Sequence, residues 1–431
     1  MNSGHRFHVP TLHAFIQAVF HQMGSNDQEA RLVADHLIAS NLAGHDSHGI
    51  GMIPSYIRSF SLGHLQINRH AKVVKDAGVV ITLDGDCAFG QVAAHEAITL
   101  GIEKARQHGI AAVALHNSHH IGRIGYWAEQ CAAAGFVSVH FVSVVGIPMV
   151  APFHGRDSRF GTNPFCVVFP RKNTFPLLLD YATSAIAFGK TRVAWHKGEP
   201  VAPGCLIDVE GMPTTDPAVM QVSPLGSLLT FAEHKGYALA AMCEIMGGAL
   251  SGGKTTHEES LQTSPDAIIN CMTTIIMNPE LFGAPDCDNQ VAAFAEWVKA
   301  SPHAEDAPIL LPGEWEVNTR EERLEHGIPL DAGSWHSPNY AGEPLPSLAS
   351  ILRFIGANHF AANVEIKPMP GNEWRTGAAV AIDVKNLWSG QGPLPLLSSF
   401  SEIALEAARE AVPDLPRSLL VDVLPGDWVE R

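Results

Sequence analysis

Paired cysteines, a basic surface and a long apolar run are all missing from this chain. The seven cysteines (87, 131, 166, 205, 243, 271 and 287) are scattered and never spaced Cys-x-x-Cys. That excludes a zinc ribbon and favours reduced thiols in a cytoplasmic protein over a disulfide framework. A formal net charge of −16 with only 17% charged residues leaves no basic stripe to displace counterions, so no nucleic-acid partner is expected. No run reaches the length of a membrane span and no signal-peptide core precedes residue 20, so no membrane partner is expected either. Missing too are a Gly-x-Gly-x-x-Gly after any strand-like run and a Gly-x-x-x-x-Gly-Lys-Ser/Thr loop. The usual signatures of a Rossmann unit and of a P-loop are therefore absent.

What remains is 46% hydrophobic over 431 residues, enough for two or three domains with a substantial core. Residues 1–62 read as mainly helical. Thr11 is placed to cap a first helix carrying Leu12, Phe15, Ile16, Val19 and Met23 on one face, ended by Gly24. Ser25 and Gln28 form a capping-box pattern before a second helix. From about residue 70, short β-branched runs alternate with helices. Strands are predicted at 79–83, 111–115, 137–144, 165–170 and 176–180, and helices at 91–107 and 125–134. A helix over 234–250 is apolar nearly all round and is expected to be buried. The pattern is α/β.

Histidine stands where core packing does not demand it. His45-Asp46-Ser47-His48-Gly49 follows a helix, His116-Asn117-Ser118-His119-His120-Ile121-Gly122 follows a strand, and His234-Lys235-Gly236 heads a helix. Imidazole gives and takes protons near neutrality, and turns at element ends are where scaffolds display chemistry. An enzyme is indicated. Metal binding is the rival for these clusters, but His45-x-x-His48 is not His-Glu-x-x-His and cysteine pairs are lacking, so no metal is expected.

In order and spacing, Asp46-Ser47-His48-Gly49, Asn117-Ser118-His119-His120, Gly161-Thr162-Asn163-Pro164, Leu179-Asp180-Tyr181-Ala182-Thr183-Ser184, His234-Lys235-Gly236-Tyr237 and Leu311-Pro312-Gly313-Glu314 resemble the type 2 malate/L-lactate dehydrogenase family. The resemblance covers residues 1 to about 335. It implies a non-Rossmann nicotinamide-binding fold, with a helical part over 1–62 and an α/β cofactor-binding part over 70–335. It also implies NAD or NADP as cofactor, a small 2-oxo or 2-hydroxy acid as substrate, and a homodimer. Around Asp331-Ala332-Gly333-Ser334-Trp335 that resemblance stops. Residues 336–431 resemble instead the middle of a glycerophosphodiester phosphodiesterase, through Gly342-Glu343-Pro344-Leu345-Pro346, Asn363-Val364-Glu365-Ile366-Lys367-Pro368, Pro395-Leu396-Leu397-Ser398-Ser399-Phe400 and Leu415-Pro416-Arg417. This implies an incomplete β/α-barrel fragment. Glu365 would be a vestigial metal ligand and Lys367 a phosphate contact, while the family's other motifs are absent. A barrel of about eight strands cannot close on roughly three. Metal-dependent phosphodiester hydrolysis is thus the lesser alternative, and a non-functional fusion product the third. Phe354, Ile366, Leu396, Leu397 and Leu420 are expected to be poorly buried or to pack adventitiously.

His48 is read as the catalytic acid/base, against the plainer reading of a cap for the following helix. Asp180, at the end of an apolar strand, either orients an imidazole, contacts the cofactor, or is a solvated terminus. The resemblance maps cofactor contacts onto His48, Gly122, Arg123, Ile124, Leu178, Leu179, Asp180, Tyr181, Ala182, His234, Asn270, Gly313, Glu314, Trp315 and Glu316. Many relatives carry arginine where this chain has Met52. Arg123 is read as the compensating contact for a substrate carboxylate, against a surface charge at a helix start. Met52 would favour larger apolar substrate side chains, in line with family members acting on aromatic pyruvates and 2-oxoglutarate. His119 and His120 stay unassigned between packing and support. Lys235 is either an anion contact at a helix start or a packed stem.

Overall fold

Pro10 sets the start of the first helix. In the computed structural model, which describes residues 5–259, 267–284, 286–304, 307–330, 352, 355, 361–368, 371–388 and 393–420, strand β1 (His5–Phe7) leads into α1 (Val9–Gln22) with the proline in its first turn. Proline has its φ preset for that position and lacks only an N–H that would go unpaired there. Thr11 therefore lies inside the helix and caps nothing. Helix α2 (Asp27–Leu42) is capped by Asn26, whose side chain accepts the Glu29 N–H. Ser25 instead donates to the Glu29 carboxylate at 2.6 Å, so the expected capping box is replaced by an Asn cap. Two 3-10 turns, Asp46–His48 and Ile50–Met52, carry the chain into α3 (Ile53–Ser61). These helices bury Ile16, Phe20, Val33, Leu37 and Tyr56 against Phe89.

Strands β2 (Lys72–Ala77) and β3 (Val80–Asp84), helix α4 (Gly90–His108), strand β4 (Ile110–His119), helix α5 (Ile124–Ala133) and strands β5 (Val137–Val145), β6 (Phe165–Phe169) and β7 (Leu177–Tyr181) follow. After α6 (Phe188–Lys197), short strands β8 (Leu206–Ile207), β9 (Pro213–Thr214) and β10 (Ser227–Leu228) make a small antiparallel sheet. Helix α7 (His234–Cys243), the short α8 (Thr256–Glu259), strand β11 (Ile269–Met277), helices α9 (Cys287–Lys299) and α10 (Glu314–His326) and strand β12 (Ile328–Leu330) complete this unit. The main sheet is seven-stranded, in the order β2-β3-β4-β11-β5-β6-β7. Only β3 and β4 pair in parallel; the other neighbours are antiparallel. Leu83, Ile98, Val113, Leu115, Trp127, Val142 and Val168 fill the layer between this sheet and α4 and α5. Strand β12 closes on β1, with Leu330 opposite His5.

The helix expected over 234–250 breaks its regular form at Cys243 and continues as a π-helical turn, Glu244–Ala249. It is not buried all round. Gly247 lies so close to β5 that a Cβ there would stand 2.6 Å from the Ser143 nitrogen. The opposite side leaves Met242, Ile245 and Leu250 47%, 53% and 61% exposed.

Met1–Trp335 and His336–Arg431 form two compact units. In the second, strands β13 (Asn363–Glu365), β14 (Leu396–Ser399) and β15 (Arg417–Leu419) pair in parallel, with helices Glu373–Leu387 and Glu402–Ala411 between them. Ile366 and Leu397, expected to be poorly buried or to pack adventitiously, are 2% and 0% exposed in one cluster with Ala381, Val384, Ala404 and Ala408. The cause is local, since strand–helix–strand crossovers cover a parallel sheet even when few strands are present. Leu396 and Leu420 are half-buried. Phe354 and the junction at 331–336 lie outside the described residues.

Candidate active site

The end of β4 and the turn after α2 bring two imidazoles together. The His48 and His120 rings stack with centroids 5.7 Å apart and planes 17° from parallel. The His48 Nδ1 is 3.0 Å from Ser47 Oγ, which leaves its Nε2 free to exchange a proton. His120 Nδ1 is 2.8 Å from the Tyr56 hydroxyl, and Gln91 Nε2 donates to that hydroxyl at 2.9 Å. With one acceptor site of the phenol taken by Gln91, its hydrogen can go to an unprotonated His120 Nδ1, the tautomer that carries the ring proton on Nε2. Burial, then the nearby His45 and Arg123, pulls His48 down to about 4. His120 is likewise held well below the usual range by burial and by His48. Both rings are neutral at pH 7.

The turn bearing His48 needs Gly49, because a Cβ there would run into the Asn41 side chain. Gly122 has φ +73° and a Cβ on it would collide with the buried His36 ring. That contact seats the start of α5 on α2. Arg123 is not the surface charge that a helix start suggests. Its side chain is 1% exposed and its Nη2 lies 2.7 Å from the Glu129 carboxylate. Its Nε and Nη1 are buried without a hydrogen-bond partner. Asp180 is half-buried with its pKa raised mainly by desolvation, and its Oδ2 accepts the Gly125 N–H at 2.8 Å. A Cβ on Gly125 would stand 2.5 Å from Arg123 Nη1 and 2.7 Å from Asp180 Oδ2, so the two charges are near neighbours.

The other segments converge on this corner. Asn270 Oδ1 accepts the Ile121 N–H at 2.9 Å. The Leu178 N–H donates to Pro312 O at 3.1 Å, and Gly313 packs against the Leu178 side chain. Ile124 and Leu178 are buried, Leu179 is 38% exposed, and Tyr181 and Ala182 are half-buried. At the head of α10, Glu314 pairs with Lys299, Trp315 stands edge-on to His45, and Glu316 lies 3.1 Å from His45. Met52 is partly buried against the helical core. His234 and Lys235 are exposed, and His234 is near Phe153 alone among the aromatic rings described.

Sequence reasoning left out Tyr56, Gln91, Asn41, His36 and Glu129. Tyr56 and His120 are 64 residues apart, and no local pattern announces their hydrogen bond. Arg320 and Arg323 of α10 were left out as well, and their partners Glu129 and Asp46 are far from them in sequence.

A mixed sheet with a helical N-terminal layer and paired imidazoles at their seam describes a class, the α/β dehydrogenases. Over residues 7–337 the chain matches malate/L-lactate dehydrogenase, and it belongs to that family. It is 86% identical over 337 residues to hydroxycarboxylate dehydrogenase B of Escherichia coli O157:H7, covering 78% of this chain and 93% of that protein. It is 39% identical over 294 residues to L-lactate dehydrogenase of Cupriavidus necator, covering 67% of this chain and 84% of the relative. The sulfolactate dehydrogenase structure from Methanocaldococcus jannaschii aligns with TM-score 0.69 at 31% identity, covering 77% of this chain and 94% of that one.

Proposed function

We propose that this protein is an NAD(P)-dependent 2-hydroxycarboxylate dehydrogenase acting on 2-oxoglutarate or phenylpyruvate-type acids, including hydroxyphenylpyruvate. The observation that carries the reading is the His48–His120 pair beside the convergent segments 121–125, 178–182, 270 and 313–316. The name of the Escherichia coli relative points the same way. Buried donors left unpartnered on Arg123 and the backbone-lined corner at Gly313 suit an anionic dinucleotide or a carboxylate. A bound nicotinamide would supply or receive the hydride at the substrate carbon.

The chain's own residues handle the proton. With Nδ1–H donated to Ser47, neutral His48 offers Nε2 as the base for a 2-hydroxy acid and returns that proton to the alkoxide in reduction. His120, its tautomer set through Tyr56, presents Nε2–H to the same substrate oxygen. Arg123 would hold the substrate carboxylate through Nε and Nη1 once the bound acid opens a path to those sealed atoms, and Met52 lies close enough in sequence to shape the side-chain end. Asp180 fixes the first turn of α5 and balances Arg123. The low His48 pKa favours the base form, so protonation for reduction depends on the negative charge a bound acid brings.

The homodimer is supported by the outward Met242, Ile245 and Leu250, an apolar face of the kind that subunits cover. The non-Rossmann fold is supported by a sheet with a single parallel pair. Absence of a helix long and apolar enough to cross a membrane, among the described residues, agrees with a cytoplasmic site. For the second unit, the parallel β13-β14-β15 sheet with Glu365 and Lys367 3.4 Å apart supports a barrel fragment of the phosphodiesterase kind. Among the described residues its three strands close no barrel, and we propose it as catalytically silent.

The test follows NADH and NADPH oxidation with a panel of 2-oxo acids. Turnover is expected with the native chain, none with His48→Ala, and a KM raised at least tenfold in Arg123→Gln with cofactor Kd little changed. Turnover that survives His48→Ala would overturn the mechanism.

A further inference from the structure

The charged face of α10 does more than pack. Glu316, Arg320 and Arg323 occupy helical positions i, i+4 and i+7, so they share one side. All three reach partners at the catalytic corner. Glu316 meets His45 at 3.1 Å, Arg320 meets Glu129 at 3.1 Å, and Arg323 grips Asp46 through Nη1 at 2.6 Å and Nη2 at 3.0 Å. Arg323 also donates to the Asn41 carbonyl. Asp46 further receives the Asn41 Nδ2 at 2.6 Å, while Asn41 Oδ1 accepts the Ile50 N–H at 2.8 Å. The turn that displays His48 is thus gripped by buried Asn41 from within and by the Arg323 fork from α10.

Such a grip is needed. Residues 46–52 form two single 3-10 turns, which have poorer hydrogen-bond geometry than an α-helix and little cooperativity. Left to itself, the segment would sample many backbone states at a cost in free energy each time His48 had to be presented. A two-pronged arginine–carboxylate contact restricts both position and orientation, which a single lysine contact does not. The Arg323 side chain is 12% exposed and the Asp46 side chain 46%, so solvent screens the charges and the contact acts through its two-pronged geometry.

We propose that Arg323 and its partner Asp46 are positioning residues for His48, holding the catalytic turn from α10. This rests on the reading of His48 as the acid/base. Arg323 bonds to Asn41 and Asp46 and to none of the segments 121–125, 178–182, 270 and 313–316, so its loss should leave most of the cofactor's contacts in place while the imidazole loses its fixed position.

The experiment compares Arg323→Met, Arg323→Lys and Asp46→Asn with the native full-length chain. Backbone amide exchange of residues 45–50 is read without substrate, cofactor Kd by NADH fluorescence, and kcat with the best 2-oxo acid. Exchange in 45–50 is expected to speed at least tenfold in Arg323→Met, kcat to fall at least tenfold, and cofactor Kd to stay within about twofold. Arg323→Lys should fall between, and Arg323→Met combined with Asp46→Asn should lose little more than either alone. Unchanged exchange at 45–50, or a kcat loss matched by an equal loss of cofactor affinity, would overturn the proposal. If Arg323→Met fails to fold, the lysine variant and Asp46→Asn decide it by the same readings. Native chain that turns over no 2-oxo acid would count against the dehydrogenase reading, and the exchange result would still decide the positioning one.

Discussion

At the scale of single residues, chemistry here depends on which nitrogen carries a proton. The Gln91–Tyr56–His120 line fixes one ring and Ser47 engages the other. Tyr56→Phe removes the hydroxyl and leaves the His120 tautomer unset and Gln91 without its acceptor. We expect kcat to drop about tenfold and stability by about 1.5 kcal/mol, read by steady-state kinetics and urea titration. A kcat equal to that of the native chain would mean His120 takes no part. His48 and its motif were legible in the sequence because imidazole in a turn between elements is rarely needed for packing. The burial of Arg123 was not, since a charged residue at a helix start is ordinarily solvated and its half-buried carboxylate neighbours, Glu129 and Asp180, come from α5 itself and the end of β7.

At the scale of elements, the strands and helices that periodicity predicted over 79–180 lie within a few residues of the observed ones, because apolar spacing reflects which face is buried. Strand β2, the central β11, α9 and α10 were not predicted. Turn chemistry was less legible. Asn26 outcompeted Ser25 as a cap, and Pro10 moved the start of α1 past Thr11. The helix after His234 failed in a more telling way. An all-apolar helix reads as a core element, but only its Gly236, Ala240, Cys243, Gly247 and Gly248 side faces the sheet. Its outward Ile245 is exposed within one chain, so Ile245→Asp should leave folding unchanged and shift sedimentation from dimer to monomer. A native chain that already sediments as a monomer would remove the dimer from the proposal.

At the scale of the whole molecule, buried histidine makes stability depend on acid. Burial lowers His36, His119 and His140 from 6.5 to about 3 and His48 from 6.5 to about 4. Below 6.5 the unfolded chain takes up protons that these folded sites refuse until pH nears 3 to 4. Their contribution is therefore full above 6.5 and is lost as pH falls through that window, by up to ~1.4 kcal/mol per pH unit for each histidine. Urea midpoints should hold nearly level from pH 7.5 to about 6.5 and fall from there to pH 5, and a profile flat throughout would contradict the burial of these rings. Composition alone counted 23 histidines but not which were sealed away. The pairing of β1 with β12 carries a different consequence. Strands more than 300 residues apart in sequence lie side by side, so a ribosome must finish nearly the whole dehydrogenase unit before its first strand finds a mate. That late stitch makes the unit slow to close during synthesis. It also sets the two ends close enough to be joined by a short linker, with new ends opened at the exposed Lys172-Asn173 tip between β6 and β7.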